Sequence, residues 1–120
     1  MAQFVADEHL DERDVIVPLR RRFSLHRVQE LRLGEQVLND RIPEILLRLR
    51  KPTFLTIDQG FWDPRLCNPG YCILVFAFPM QRQELLPTML RELLQRPEFS
   101  TRTARMGKVA RIGSTSVAFW

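Results

Sequence analysis

Cysteine occurs only twice in this chain of 120 residues, at Cys67 and Cys72, and histidine only twice, at His9 and His26. Two cysteines without partner pairs do not build a structural zinc site, and the histidines do not recur at ligand spacing. No secretory signal is recognisable, so the expectation is a cytoplasmic protein with reduced thiols. No window reaches the ~18 consecutive apolar residues of a membrane span, which excludes a membrane partner of that kind. Internal repeats, low-complexity segments and interdomain linkers are absent as well. Lysine is almost missing: Lys51 and Lys108 are the only two among 18 Lys plus Arg, set against 14 Asp plus Glu. The net charge is +4 and the sequence pI about 9.8. Arginine's planar fork suits bidentate contact with phosphate, which favours a polyanionic partner, although scattered arginines also keep a small domain soluble.

What is present is the composition of an ordinary globular protein, 45% hydrophobic and 27% charged. The length suits one domain over residues 1–120 with a single core, able to bury roughly 65% of the unfolded surface. Two apolar runs end in an acid: Phe4-Val5-Ala6-Asp7-Glu8 and Phe54-Leu55-Thr56-Ile57-Asp58. If these are neighbouring parallel strands, Asp7 and Asp58 leave the sheet at the edge where open α/β folds place their ligand crevice.

The pattern along the chain supports that arrangement. Residues 3–6 read as a buried strand, and Asp11 as the cap of a helix over 12–22, with Pro18 forcing a kink or a late start. Residues 25–31 alternate like a half-exposed edge strand closed by Gly34. Asn39 or Asp40 caps a helix reaching about residue 50, with Pro43 in its first turn and Pro52 as its stop. Residues 53–57 are the central strand candidate, followed by a long loop over 59–70. The continuous apolar run 71–78, with Cys72 inside it, is the mark of a strand buried on both faces. After Pro79 comes a helix over 81–95 that Pro87 interrupts or bends. The tail, with Gly113-Ser114 between 109–112 and 115–120, reads as strands joined by a tight turn. Together these elements predict an α/β three-layer sandwich with a mostly parallel central sheet, right-handed crossovers and a C-terminal hairpin.

The acids cluster by predicted position: Asp7 and Glu8 after the first strand, Asp40 at a helix start, Asp58 after the third strand and Asp63 in the loop beyond. Carboxylates packed together repel, which raises a pKa or recruits a hard cation such as Mg²⁺ or Mn²⁺. Asp40 is also an adequate helix cap, and Glu8 and Asp63 also fit solvated turns.

These residues resemble a known family. Phe4-Val5-Ala6-Asp7-Glu8-His9-Leu10 is similar to the "FLADENL" signature of PIN-like proteins related to the VapC toxins. The run from Phe54 to Phe61 resembles their "LLTRDKDF" segment, and the stretch from Asn39 to Leu46 their intervening "SDEEIL". The resemblance covers roughly residues 3–80 and implies a PIN-like fold whose acidic pocket binds Mg²⁺ or Mn²⁺ for RNA cleavage. On that footing Asp7, Asp40 and Asp58 are the metal-binding and catalytic acids, Glu8, matching an adjacent glutamate, is a further metal ligand, and Asp63 is a further catalytic candidate. Where the family motif carries a second aspartate two residues after the first, this chain has Gly60.

The implied activity is that of a metal-dependent endoribonuclease, the toxin of a type II toxin–antitoxin pair with an antitoxin protein as partner. The other reading is a catalytically silent PIN-like module that binds nucleic acid or protein. Arg13, Arg41 and Arg65 are candidates to neutralise an RNA backbone, Arg41 and Arg65 being equally able to pair with acids beside them. Phe61 reads as core, whereas Trp62 is open to stacking on a base. The apolar strand 71–78 and the terminal Phe119-Trp120 could serve a homodimer or fill the core.

Overall fold

Alternation sorts the strand residues of this chain onto two buried faces, as expected of a sheet covered on both sides. The computed structural model describes residues 3–31, 39–78 and 80–120. Six strands, β1 (Phe4–Ala6), β2 (Leu25–Arg27), β3 (Thr53–Thr56), β4 (Cys72–Phe76), β5 (Val109–Ile112) and β6 (Val117–Phe119), form one sheet in the order β2-β1-β3-β4-β5-β6. The first five are parallel and β6 returns antiparallel to β5, so the mostly parallel sheet and the terminal hairpin are as expected. The order reverses between β1 and β3, where Ala6 lies opposite Leu55.

One face carries Phe4, Ala6, Leu55, Leu74, Phe76 and Ile112, and the other Val5, Phe54, Ile73, Val75 and Val109. Against the first pack Val15, Ile16 and Leu19 from the connection after β1, and Leu86, Leu90 and Leu93 from the connection after β4. Against the second pack Val28, Ile42, Ile45, Leu46 and Phe61. Burying each such side chain contributes about 1.5–3 kcal/mol, and this two-sided core holds the layers together.

Prolines shape the helices. Asp11 caps a π-helical turn over Glu12–Ile16, its carboxylate accepting from the Asp14 amide (2.7 Å), and the turn runs into α1 (Val17–Arg20). Pro18 has no N–H to give Asp14, so regular α-structure begins late; the Val15 and Ile16 amides instead share the Asp11 carbonyl. The expected edge strand over 25–31 is halved, because α2 (Val28–Leu31) starts where Glu30 accepts from the Arg27 amide (3.2 Å). Gly34 and Pro79 lie outside the described residues. Before α3 (Ile42–Leu47) comes a 3-10 turn over Asn39–Arg41, and no side chain caps the helix, so neither Asn39 nor Asp40 takes the capping role expected. Pro87 stands in the first turn of α4 (Leu86–Leu93), where a missing N–H is harmless, and a 3-10 stretch over Met80–Leu85 precedes it. Thr101 caps α5 (Arg102–Arg105), an element the sequence pattern did not reveal.

One crossover departs from the expected hand. The β1–β2 step moves one way with α1 on the first face; the β2–β3 and β3–β4 steps move the other way beneath the second face, which is the same hand. The β4–β5 step also moves that other way, yet α4 lies on the first face. Its hand is therefore opposite to the other three, a rare arrangement for parallel strands. The segment before α4 gains a tie to the turn after β1: Gln83 accepts from the Asp11 amide (2.8 Å) and donates to the His9 carbonyl (3.4 Å).

The far end of the connection is locked by Arg105, which is buried against the N-terminal ends of β1 and β3. Its guanidinium donates to Thr53 Oγ1 (3.1 Å), to the Phe99 carbonyl (2.9 Å) and to Gln3, and lies 5.2 Å from the centroid of the Phe4 ring. Replacing it removes a fork that three acceptors share, and such charge-assisted bonds contribute about 1.5–3 kcal/mol each. Arg105→Ala should lower unfolding stability by about 3 kcal/mol in urea titrations, with Arg105→Lys recovering less than half; a loss below 1 kcal/mol for Arg105→Ala would contradict this role. Cys72 is buried in β4, where burial pushes its thiol up to about 12, whereas Cys67 is exposed and both are free. Thiol reagents should therefore titrate one group per native chain and two after denaturation.

Candidate functional site

The site forms because β1 and β3 are parallel neighbours that end together. The Asp7 amide makes the last rung, donating to the Leu55 carbonyl (2.9 Å), and the residue is only 2% exposed. Thr56 closes β3 and joins the two acids: its hydroxyl donates to Asp7 Oδ2 (2.6 Å) and accepts from the Asp58 amide (3.0 Å). Asp7 Oδ1 accepts from the Glu8 amide (2.8 Å). Asp58 Oδ1 accepts from the Gly60 amide (2.9 Å), and Oδ2 from the side-chain amide of Asn39 (2.6 Å). Burial holds the Asp7 carboxyl above the usual range; Thr56, the Glu8 amide and His9 oppose that rise, and the Asp58 charge adds to it.

The remaining acids stand apart from this pair. Asp40 and Asp63 line a neighbouring hollow of about 360 Å³, together with Asn39, Gly60 and Phe61. Asp63 accepts from the Arg65 amide (2.9 Å) and pairs with its guanidinium (2.8 Å), hydrogen bonds that hold the Asp63 carboxyl below the usual range. The Glu8 carboxylate lies 3.8 Å from His9 Nε2. Among the described residues, no three potential metal-ligating side chains are grouped closely enough to hold an ion. Of the five acids read from the sequence, Asp7 and Asp58 thus stand together at the strand ends, Asp40 and Asp63 line the hollow beside them, and Glu8 lies against His9; Asn39, which also lines the hollow, reaches Asp58.

Gly60 has a local physical reason. A Cβ there would sit 3.1 Å from Asp58 Oδ1, tighter than ordinary contact, so an aspartate at this position requires Asp58 to move. The turn that brings Asp58 back on the Gly60 amide leaves a side chain at position 60 in tight contact with Asp58.

The basic and aromatic candidates divide similarly. Arg41 pairs with Glu44 (3.3 Å) and Arg65 with Asp63, the alternative role foreseen for both; Arg13 is exposed. Phe61 is core, edge-on to Phe54. Trp62 stacks on Trp120, with centroids 3.7 Å apart and planes 27° apart, so one face of its ring is already occupied within the chain. Phe119 packs edge-on against Phe99, and both C-terminal aromatics keep an exposed side. Thr56, Asn39, Gln59 and Arg111 were missed as site residues. Gln59 Nε2 donates to the Phe76 carbonyl (3.1 Å) while Gln59 Oε1 accepts from Arg111 Nε (3.0 Å), holding an arginine beside the carboxyl edge. A signal was available for Thr56, the one polar residue before the acid in an otherwise apolar strand end; Arg111 has none, being remote in sequence.

A raised carboxyl pKa makes the protonated form the one that favours the fold. Asp7 therefore supports stability fully at acid pH, and that support is lost as the pH rises through its folded value. In the presence of a chelator, Asp7→Asn should unfold at a higher temperature than the parent at neutral pH, and the advantage should shrink as the pH falls through the carboxylate range towards about 4. A difference independent of pH, or a more stable parent at neutral pH, would show that Asp7 carries no such strain.

No helix among the described residues is long and apolar enough to cross a membrane. Compared with known proteins, the chain matches no family model, no curated protein and no solved structure.

Proposed function

We propose that this chain is a PIN-like endoribonuclease dependent on Mg²⁺ or Mn²⁺, acting in the cytoplasm as the toxin of a type II toxin–antitoxin pair. The observation that carries the reading is the Asp7–Asp58 pair, joined through Thr56 at the carboxyl edge where the strand order reverses. The three motifs resembling PIN-like proteins add to it, since two of them contain these same acids.

The donors suit such an ion. Mg²⁺ is commonly held by one or two carboxylates, its other positions going to water and phosphate oxygens, and Asp7 and Asp58 supply that number. When bound, the cation would neutralise phosphate charge and lower the pKa of a water. The chain's own residues do the rest: Thr56 and Asn39 orient the two carboxylates, and Arg111, steadied by Gln59, stands ready for a phosphate oxygen. Arg13 and Arg41 extend the attraction along an RNA backbone, an effect that weakens with salt. Trp62 can stack on a base only through the face that Trp120 leaves uncovered.

A second reading, the catalytically silent binding module, is favoured by Gly60 and by the engagement of Asp63 with Arg65. Expression toxicity and calorimetry separate the two. The first reading expects growth arrest and RNA cleavage that fall at least about 100-fold in Asp7→Asn and Asp58→Asn, with site-specific Mn²⁺ heat in the parent alone. Full toxicity in both variants, or no Mn²⁺ heat in the parent, overturns it in favour of the silent module.

A further inference from the structure

We propose that the cleft between α1 and α4 binds the phosphate groups of a nucleotide-sized anion through Arg21, Arg22 and Arg91. Two adjoining hollows, of about 500 and 520 Å³, share Arg22, Phe23 and Arg91 in their walls, and Arg21 lines the first. The Phe23 ring rests on Phe4 at the start of β1, with centroids 5.0 Å apart. The cleft is therefore separate from the carboxyl edge that holds Asp7 and Asp58, and the inference does not depend on the nuclease reading.

Charge is what singles out this cleft. Six arginines elsewhere are neutralised by neighbours, Arg20 by Glu30, Arg27 by Glu12, Arg41 and Arg48 by Glu44, Arg65 by Asp63 and Arg82 by Glu84, and those that pair with no acid, such as Arg105 and Arg111, lie outside this cleft, which gathers three in one wall. Among the described residues Arg21, Arg22 and Arg91 make no ion pair, and the only side-chain bond from Arg91 goes to Thr88 Oγ1 (3.3 Å). Glu92, in the second hollow, is the one acid in these walls. Three arginines without an acid partner in the walls of one space leave its positive charge uncompensated, and an anion with several phosphate oxygens supplies the missing charge and suits the arginine fork bidentately. The space falls within the size range of small-molecule sites, and the half-buried Phe23 ring gives an apolar wall for the part of the ligand without charge. A nucleoside diphosphate or triphosphate meets both requirements.

Calorimetric titration of the full chain with ADP, with inorganic pyrophosphate and with a single-stranded oligoribonucleotide tests this. ADP should bind saturably and more tightly than pyrophosphate, and Arg22→Gln and Arg91→Gln should each weaken it about tenfold, as expected for loss of one charged hydrogen-bonding partner. Arg48→Gln, which alters a paired arginine outside the cleft, should leave the affinity within twofold. Absence of saturable ADP binding, equal weakening by Arg48→Gln, or pyrophosphate binding as tightly as ADP would each overturn the assignment. So would an oligoribonucleotide that binds through Arg22 and Arg91 when ADP does not, since the surface would then be a polynucleotide track.

Discussion

The parallel pairing of β1 with β3 is the constraint on which the rest of the molecule depends. Strands separated by nearly fifty residues of chain lie side by side, from the Thr53 amide on the Gln3 carbonyl (2.8 Å) to the Asp7 amide on the Leu55 carbonyl (2.9 Å). The pairing makes the strand order turn back at this point and brings the acids that follow the two strands to one edge of the sheet. It also distributes the apolar residues evenly to both faces, so α1 and α4 cover one side while α2, α3 and the loop after β3 cover the other.

Polar groups at that edge are used economically. Every carboxylate oxygen of Asp7 and Asp58 already accepts a hydrogen bond from an amide or a hydroxyl, which keeps two neighbouring acids tolerable at the rim of a core. The exposed arginine–acid pairs around them contribute far less to stability, since solvent screens them. Buried Arg105 at the opposite end is different in kind: its acceptors are a hydroxyl, a carbonyl and an amide oxygen, so its charge is spread over dipoles instead of being cancelled by one acid.

Much of the sheet was legible because burial on both faces writes itself into sequence as an unbroken apolar run, as in β4, and because an acid after such a run marks a strand end, as at Asp7 and Asp58. Helix boundaries were less legible where prolines intervene. Pro43 reads as part of the first turn of its helix, where the structure has it, but Pro18 and Pro87 read as breaks or kinks and the structure uses both in first turns as well. The hand of the β4–β5 crossover could not be read at all, since the apolar stripe of α4 says that it faces a sheet and not which side. At the site, the acid pair was visible but its organisation was not. Asn39 looks like a helix cap until the fold carries it to Asp58, and the Trp62–Trp120 stack joins residues with no local relation.

The fastening by Arg105 has a consequence for how the chain emerges during synthesis. Residues 4–58 contain both acids and both strands that present them, and all of them are synthesised before α4 and α5, which cover and fasten those strands. The clamp that ties Gln3, Phe4 and Thr53 together arrives only with residue 105. A nascent chain therefore exposes its first strand and both acids before the residue that fastens that strand has been made.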